Sequence, residues 1–353
     1  MKLIKPASIL DAVLVASNVV ETAPAAYSSG TTYGLGATVS VFSGTTASVY
    51  TSRAPGNLAN TPVSSPSWWT LSGITYAAYS PSVTYAKDDI VTVVSANSHH
   101  RYLSLQASNL NKTPGDASSS TWWLDMGATN RWNMFDGSLT SQTTNPGSID
   151  VTLAVPGRID SLALMNSSTA SVEITLTDAV DGIVYHRGYS MISDSGILDW
   201  YAYFFEPIER LTDLVVTDLP PYYAPSLRVV MTDTAAPPAC GACVIGLSKD
   251  IGAVQYGAQV GIQDYSVKQV DTFGNYTVLQ RAFSKRANFT VWSPSAQTDR
   301  IASLLASYRA TPIVYVGSEL FGATAVYGFY KDFNIEISYP DYSICTLEVE
   351  GLT

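Results

Sequence analysis

The sequence predicts an all-β protein of about two to four domains, with one α-helix near its C-terminus. Tyr, Thr, Ser and Val are abundant beside 24 Gly and 18 Pro, a composition that favours short strands joined by many turns. A segment in the N-terminal third occurs twice in tandem. Short apolar–polar alternations separated by turn sequences fill most of the remaining chain, as expected for several sheet-forming domains.

Residues 1–25 are expected to form an N-terminal arm or strand. The opening "MKLIKPASILDAVLVASNVV" begins like a secretory signal, with Lys2 and Lys5 ahead of an apolar run. Asp11 interrupts that run and Pro6 stands at its start. These two residues favour an arm or strand that belongs to the folded protein.

Residues 26–74 and 75–127 are expected to form two small β-modules. Their shared frame is A-Y-x5-Y-x5-V, followed by a Tyr, a T-P step, a Trp-Trp pair and a closing Gly. This agreement indicates a tandem duplication. The matched positions are Tyr27 and Tyr79, Tyr33 and Tyr85, Val39 and Val91, Tyr50 and Tyr102, Pro62 and Pro114, and the pairs Trp68-Trp69 and Trp122-Trp123.

The two Trp-Trp pairs raise the question of whether these residues belong to a buried core or to a binding surface. A module this small relies on a few aromatic side chains for its core. Successive side chains of an extended segment point to opposite faces, so one Trp of each pair can pack inward while the other faces solvent. An exposed indole suits the apolar face of a sugar ring, and Asn109, Asn111 and Asp125 could bind its hydroxyls. A purely structural role for all four Trp residues stays open.

The shared frame resembles the small chitin- and cellulose-binding modules found beside bacterial glycosidases. Their Y-x-x-G-D-x-V step is approached by "YAKDDIV" in the second unit and by "YGLGATV" in the first, which keeps Gly36 but lacks the acid. The resemblance implies sugar binding through exposed aromatic side chains. Carried over by position, the candidates are Tyr33, Tyr50, Trp68, Trp69, Tyr85, Tyr102, Trp122 and Trp123.

Residues 128–249 are expected to form a jelly-roll-like β-sandwich. Alternating apolar residues, such as Ile149, Val151 and Leu153, recur between the turn sequences "NPGS", "VPGR" and "DAVDG". The aromatic segment "DWYAYFFEPIERL" is expected on the inner face of a sheet. "WNMFDG" and "ALMN" resemble parts of discoidin-like or galectin-like jelly rolls, which often bind glycans.

Residues 250–353 are expected to form a β-sandwich with a helix near 295–309. The helix has an apolar stripe from Ile301 to Tyr308 and would start with Ser293 as cap and Pro294 in the first turn. Strands around the turn "DTFGN" precede it. Those that follow place alternate residues from Tyr327 to Tyr339 on one face. Two hairpins with a helix between them resemble the subunit of phage tail tubes and distal-tail proteins.

The charge balance argues against two classes of partner. The formal net charge is -10 and the isoelectric point is about 4.7, whereas nucleic acids and anionic membranes attract clustered Lys and Arg. No apolar run approaches the roughly 20 residues of a membrane-spanning helix. We therefore expect neither nucleic-acid binding nor membrane insertion.

The sequence indicates no enzyme and no cofactor. It lacks G-x-S-x-G, H-E-x-x-H and P-loop motifs. Cys240, Cys243 and Cys345 form no disulfide framework and lack further zinc ligands, so free thiols in a sheet core are expected. His99 and His100 are expected at a solvated loop end.

Most of the chain resembles a family of siphophage and prophage tail proteins. The segments that carry this resemblance are "MGATNRWNMFDG", "QYGAQVGIQDYS", "TFGNYTVLQRAFSKR", "YGFYKDFNIEISYP" and "TLEVEGL". It implies a structural virion protein of the tail tip or baseplate. Its expected partners are other tail-tip proteins, the tail tube, host-surface glycan and copies of itself.

Self-assembly is expected through residues from about 250 onward. The C-terminal strands carry aromatic residues on both faces, and one helix can cover only one of them, so the other face or a free strand edge should meet a neighbouring subunit. The resemblance implies a ring of six copies or a multiple of three. A secreted bacterial carbohydrate-binding protein, or the non-catalytic part of a polysaccharide-degrading enzyme, is the alternative. A third interpretation treats the repeats as spacers with buried Trp residues.

Overall fold

A computed structural model describes residues 1–193, 199–205, 209–270 and 272–352, without the side chains of Ala202 and Tyr203. Strands make up 49% and helices 9% of it, which confirms the all-β multidomain class. The first 128 residues contain β1 (Lys2–Ile4), β2 (Leu14–Ser17), β3 (Thr38–Ser43), β4 (Thr46–Ser52), β5 (Trp69–Ala78), β6 (Thr84–Tyr85), β7 (Ile90–Val94), β8 (His99–Ser104), β9 (Asn109–Leu110) and β10 (Trp123–Ala128).

The remaining elements divide between the middle and the C-terminal part. The middle contains β11 (Thr143–Thr144), β12 (Ser148–Ala154), β13 (Ser161–Ser168), β14 (Ser171–Asp178), β15 (Gly182–Ser190), α1 (Trp200–Phe205), β16 (Leu214–Val216), β17 (Ser226–Thr232) and β18 (Ala239–Gly246). The C-terminal part contains β19 (Ser248–Asp250), β20 (Ala253–Val254), β21 (Gln259–Asp264), β22 (Val267–Val270), β23 (Tyr276–Leu279), β24 (Phe283–Pro294), α2 (Thr298–Ser307), β25 (Ile313–Val316), β26 (Ala325–Glu336) and β27 (Tyr342–Gly351).

The two modules share one six-stranded sheet in the order β10-β8-β7-β5-β4-β3. They are joined by a short parallel pairing of β5 with β7, in which Ala77 lies opposite Val91 and Ala78 opposite Thr92. Strand β5 therefore runs across the expected boundary between residues 74 and 75. Its first residues close the first module and its last residues hold the second beside it.

The middle part is a sandwich. A four-stranded sheet, β11-β18-β13-β16, faces a five-stranded sheet, β15-β14-β17-β12-β2. The core between them takes alternate residues of the facing strands, including Ile149, Val151 and Leu153, whose side chains are fully buried. This period-2 burial confirms the predicted sandwich and the inward face of β12.

The C-terminal part is one large sheet, β19-β1-β25-β26-β27-β24-β20, with β21 also paired to β24. Helix α2 covers one face through Ile301 and Leu305, and Tyr308, which directly follows the helix, packs on the same face. The opposite face packs on the middle sandwich, where Val314 and Tyr327 join a cluster with residues of β13 and β18. This face is therefore covered within the chain over β25 and the start of β26, whereas Trp292 of β24, on the same face, is 50% exposed. The expectation that this face or a free strand edge meets a neighbouring subunit stays a prediction for the exposed part of the face and for the strand edges.

The N-terminal segment contributes one strand to the large C-terminal sheet and one strand to the middle sandwich. Strand β1 lies between β25 and β19 in the large sheet, and β2 pairs with β12 at the edge of the sandwich. We call the sandwich, the large sheet and these two strands the body of the protein. Residues 1–25, expected to form an arm or strand, thus contribute one strand to each of the two β structures.

Helix α2 lies inside the predicted range, but its start differs. Ser293 and Pro294 end β24, and a 3-10 turn over Ser295–Gln297 leads into the helix at Thr298. The hydroxyl of Ser293 donates to the carbonyl of Ile251. The predicted cap is therefore wrong, because this serine ties β24 to the chain beside it.

A β-bulge changes the predicted face of β26. The register with β27 shifts between Tyr330 and Asp332, which inserts Lys331 as an extra residue. Tyr327 consequently packs against the sandwich, whereas Phe333 packs on the side of α2. A bulge reverses the alternation beyond it, so the single aromatic face predicted from Tyr327 to Tyr339 is wrong.

The aromatic segment after residue 199 is a short helix. Trp200, Tyr201, Phe204 and Phe205 of α1 are 68% to 78% exposed, so the predicted inner sheet face is wrong for these residues. Aromatic spacing without clear alternation does not distinguish a strand from a helical turn. The part of the prediction that falls on residues 206–208 lies outside the described residues.

Candidate functional site

Each module contains the same trio of aromatic rings. The two tyrosine rings stack, and the indole meets both of them edge-on, an arrangement that aromatic pairs prefer. We call each set an aromatic trio. In the trio of Tyr27, Tyr33 and Trp69 the ring centroids lie 5.9, 6.1 and 5.2 Å apart, and in that of Tyr79, Tyr85 and Trp123 they lie 5.9, 6.0 and 5.3 Å apart.

Equivalent hydrogen bonds fix the polar ends of these rings. The indole N–H of Trp69 donates to the carbonyl of Asn60 at 2.8 Å, and that of Trp123 to the carbonyl of Lys112 at 2.7 Å. The second tyrosine of each trio accepts a backbone N–H through its hydroxyl oxygen. A buried Trp needs a partner for its N–H. These bonds therefore complete a separate core in each module, and the two cores are built in the same way.

A buried asparagine supports each trio. The side-chain amide of Asn57 donates to the hydroxyl of Ser52 at 3.1 Å, and that of Asn109 to the hydroxyl of Ser104 at 3.0 Å. Asn109 is fully buried, so its predicted contact with sugar hydroxyls is wrong. The repeat holds the missed signal, because these asparagines are separated by the same interval as the matched tyrosines.

The structure distinguishes the two members of each Trp pair. Trp69 and Trp123 are only 3% and 4% exposed, whereas Trp68 and Trp122 are half-buried. Tyr85 is buried as well. Sugar contact by Trp69, Trp123 and Tyr85 is therefore corrected to a core role, because their rings are enclosed by the trios. Tyr33 is half-buried but belongs to the first trio.

The two half-buried indoles have different surroundings. The ammonium of Lys112 lies 5.4 Å from the ring centre of Trp122, within the range of a cation–π contact. The equivalent position of the first module is Asn60, whose carbonyl accepts the indole N–H of Trp69. No cation lies over Trp68 among the described residues. The exposed part of the Trp68 ring therefore has no described cation over it, whereas a ligand at Trp122 would share the ring with Lys112.

Tyr50 and Tyr102 occupy equivalent half-buried strand positions. Tyr50 lies opposite Val39 and Leu71, and Tyr102 opposite Val91 and Asp125.

The phenol of Tyr102 is held in a close-packed, partly acidic environment. Burial, and then the neighbouring Asp125 carboxylate, raises the pKa of Tyr102. A Cβ at Gly115 would lie 3.1 Å from its hydroxyl oxygen. The loop at Gly115 therefore lies close against the hydroxyl end of the ring.

A polar rim borders Tyr102 in the second module. His100 stacks on its ring at 6.4 Å, and the imidazole Nδ1 lies 3.1 Å from both carboxylate oxygens of Asp125. Asp125 also accepts the backbone N–H of Gly127 at 2.8 Å. Asn111 is exposed at a turn with a positive φ of 54°. Asp125 and Asn111 are thus at the surface, where polar groups could meet hydroxyls.

His99 does not lie at a loop end. It opens β8, is 6% exposed, and packs on the indole of Trp132 with 5.0 Å between ring centres. The prediction of a solvated loop end is wrong for this residue. His100, its neighbour, is also in the strand but partly exposed, because the strand turns the two imidazoles to opposite faces.

The three cysteines are free and buried, as predicted. Burial raises the pKa of Cys243 to about 12 and that of Cys345 to about 11. Within the described ranges, no group of three or more His, Cys, Asp or Glu could hold a metal ion. None of the helices in the same ranges is both long enough and apolar enough to cross a membrane.

The chain was compared with protein-family models, with curated proteins and with solved structures, and none of the three comparisons finds a match.

Proposed function

We propose that this chain is a non-enzymatic structural protein of a phage tail tip or baseplate, and that its two modules attach the virion to glycan on the host surface. One observation carries the glycan part: Trp68 and Trp122 each keep part of an indole at the surface beside aromatic trios that are built alike. The placement in a tail tip rests on the resemblance of the quoted motifs to siphophage and prophage tail proteins.

The duplicated indoles support glycan binding better than a spacer role. A spacer needs the buried trios, which already supply the core of each module. It does not need a second large aromatic residue at the surface beside each trio, where exposed apolar area has a cost. Two weak sugar contacts on one sheet would reinforce each other through a high effective concentration.

The first module is the stronger candidate. Its Trp68 has no described cation over the ring, and Leu71 stands where the second module has Asp125. Stacking on an apolar sugar face would dominate there. In the second module Lys112, Asp125 and Asn111 would add polar contacts around Trp122, so the two modules should differ in the glycans they prefer.

The test is binding of the whole chain to insoluble chitin, to cellulose and to host cells. Losing one stacking ring should weaken binding roughly two- to tenfold, the range expected for an aromatic contact. Trp68→Ala and Trp122→Ala should each show this loss, and the double variant should show a larger one. Trp200→Ala is the matched control, since it removes an exposed indole outside the modules.

Two results would count against the proposal. One is a folded double variant that binds as well as the unaltered chain. The other is an unaltered chain that binds neither the polysaccharides nor the cells.

A further inference from the structure

The imidazole of His99 lies between two carboxylates that belong to a different part of the chain. Its Nε2 is 3.2 Å from Asp11 and its Nδ1 is 2.9 Å from Glu21. The angles of these contacts fall outside those of directed hydrogen bonds, so the interaction is mainly electrostatic. His99 is in the second module, whereas Asp11 and Glu21 flank β2 in the N-terminal segment. The three residues therefore join the module sheet to the body.

We propose that these three residues form a pH-dependent latch, which holds the second module against the body while His99 is protonated and loosens when it is neutral. A neutral imidazole has one N–H and one lone pair, so one of the two carboxylates would face the lone pair. Only the imidazolium carries a positive charge that attracts both carboxylates. The proposal does not depend on glycan binding.

Other groups around His99 are already engaged. The Glu21 carboxylate also accepts the hydroxyl of Thr129 at 2.5 Å, and its second oxygen lies 3.5 Å from the guanidinium of Arg131. Arg101, on the same strand as His99, donates to the backbone carbonyls of Ala128 and Met126. Glu21 thus keeps two partners when His99 is neutral, whereas half-exposed Asp11 has none besides His99 among its described side-chain contacts. When His99 becomes neutral, its contact with Asp11 should therefore be lost before its contact with Glu21.

The first module lacks this histidine. In the internal alignment, Ala47 is the residue of the first module that corresponds to His99, and it lies near the start of strand β4. Because β4 forms with alanine at this point, the imidazole is not required to build a module. His99 instead lies where the second module meets the rest of the chain. There the backbone N–H of Asp11 donates to the carbonyl of Ala96, and the backbone N–H of Thr129 donates to the carbonyl of His99.

The sign of the effect follows from the charges. An imidazolium between two carboxylates stabilises the junction, so this contribution is present at low pH and is lost as the pH rises through the range in which imidazoles titrate, about pH 5 to 8. The modules should therefore be held more firmly at pH 5.5 than at pH 8.0.

Hydrogen exchange of the full chain at these two pH values tests the latch, after correction for the intrinsic exchange rates. Peptides that cover residues 8–22 and 96–101 should be roughly fivefold better protected at pH 5.5, the scale of a partly buried ion pair. The ratio of protection at pH 5.5 to protection at pH 8.0 should approach one in His99→Ala, which places at this position the residue that the first module has at Ala47. His100→Ala, at the imidazole that faces Asp125 inside the module, should keep the unaltered ratio.

A second substitution guards against a folding defect. Asp11→Asn removes one carboxylate at a half-exposed position, where the fold should tolerate it, and should lower the ratio on its own. Equal protection of the unaltered chain at both pH values would overturn the latch. An unchanged ratio in His99→Ala, or in Asp11→Asn, would overturn it as well.

Discussion

Trp68 and Trp69 are neighbours in the chain with opposite environments, because extended backbone turns successive side chains to opposite faces. The indole of Trp69 completes the first trio, while that of Trp68 borders solvent. Trp122 and Trp123 repeat the arrangement. A difference of one residue therefore separates a core position from a surface position in both modules.

Substitution within one Trp pair should show this difference as stability. Trp69→Ala removes a buried ring and its hydrogen bond and should lower the free energy of unfolding of the module region by about 3–5 kcal/mol. Trp68→Ala should cost well under half of that, since part of its ring is already exposed. Urea unfolding followed by circular dichroism measures both values. Equal losses in the two variants would contradict the assignment of Trp69 to the core.

At the scale of elements, β21 and the β22–β23 hairpin are the least covered part of the body. Val260 and Ile262 of β21 are 49% and 62% exposed, and β21 pairs only with β24 within the described ranges. The hairpin forms a separate two-stranded sheet without a buried residue. Such a hairpin is marginal alone in water, and a free apolar edge tends to pair with another chain.

We therefore expect self-assembly through this edge. The resemblance to tail proteins implies a ring of six copies or a multiple of three. If this edge forms the ring, changing Val260 and Ile262 to Lys together should leave single chains, because edge charges block strand pairing. Native mass spectrometry gives the copy number. Val63→Lys, at an exposed position of the first module, is the control and should assemble normally. A double variant that still forms the ring would show that the interface lies elsewhere.

At the scale of the whole molecule, the apolar cores divide along the module boundary. The three large buried clusters of the body take residues from the N-terminal segment and from residues beyond 128, and none from 26–127. The buried cluster around Trp123 is made only of module residues. The junction between modules and body instead combines the charged groups of His99, Glu21 and Arg131 with one ring contact, in which His99 packs on Trp132.

Deleting residues 26–127 should therefore leave a body that unfolds cooperatively on heating, as expected of a unit with its own core. Deleting residues 1–25 is the matched control. It removes β1 from the interior of the large sheet and should abolish cooperative unfolding. Calorimetry distinguishes the two, and an aggregated or non-cooperative product of the first deletion would show that the modules share a core with the body.

The sequence by itself determined what depends on local pattern. Alternation at Ile149, Val151 and Leu153 predicted a buried strand face, the stripe from Ile301 to Tyr308 predicted α2, and the matched tyrosines revealed the duplicated modules. These features follow from periods of two or of 3.6 residues and from internal repetition, which can be read without knowing what packs where.

Only the tertiary structure decided features that depend on residues far apart in the chain. The bulge at Lys331 exchanged the two faces of β26, Asn109 proved to be core, and Asp11 and Glu21 met His99 across the chain. The choice of Trp68 and Trp122 as the outward indoles also needed the folded module, because alternation says that neighbours differ but not which side the core occupies. Burial and electrostatic pairing are properties of the assembled chain, and this is why they escaped the local pattern.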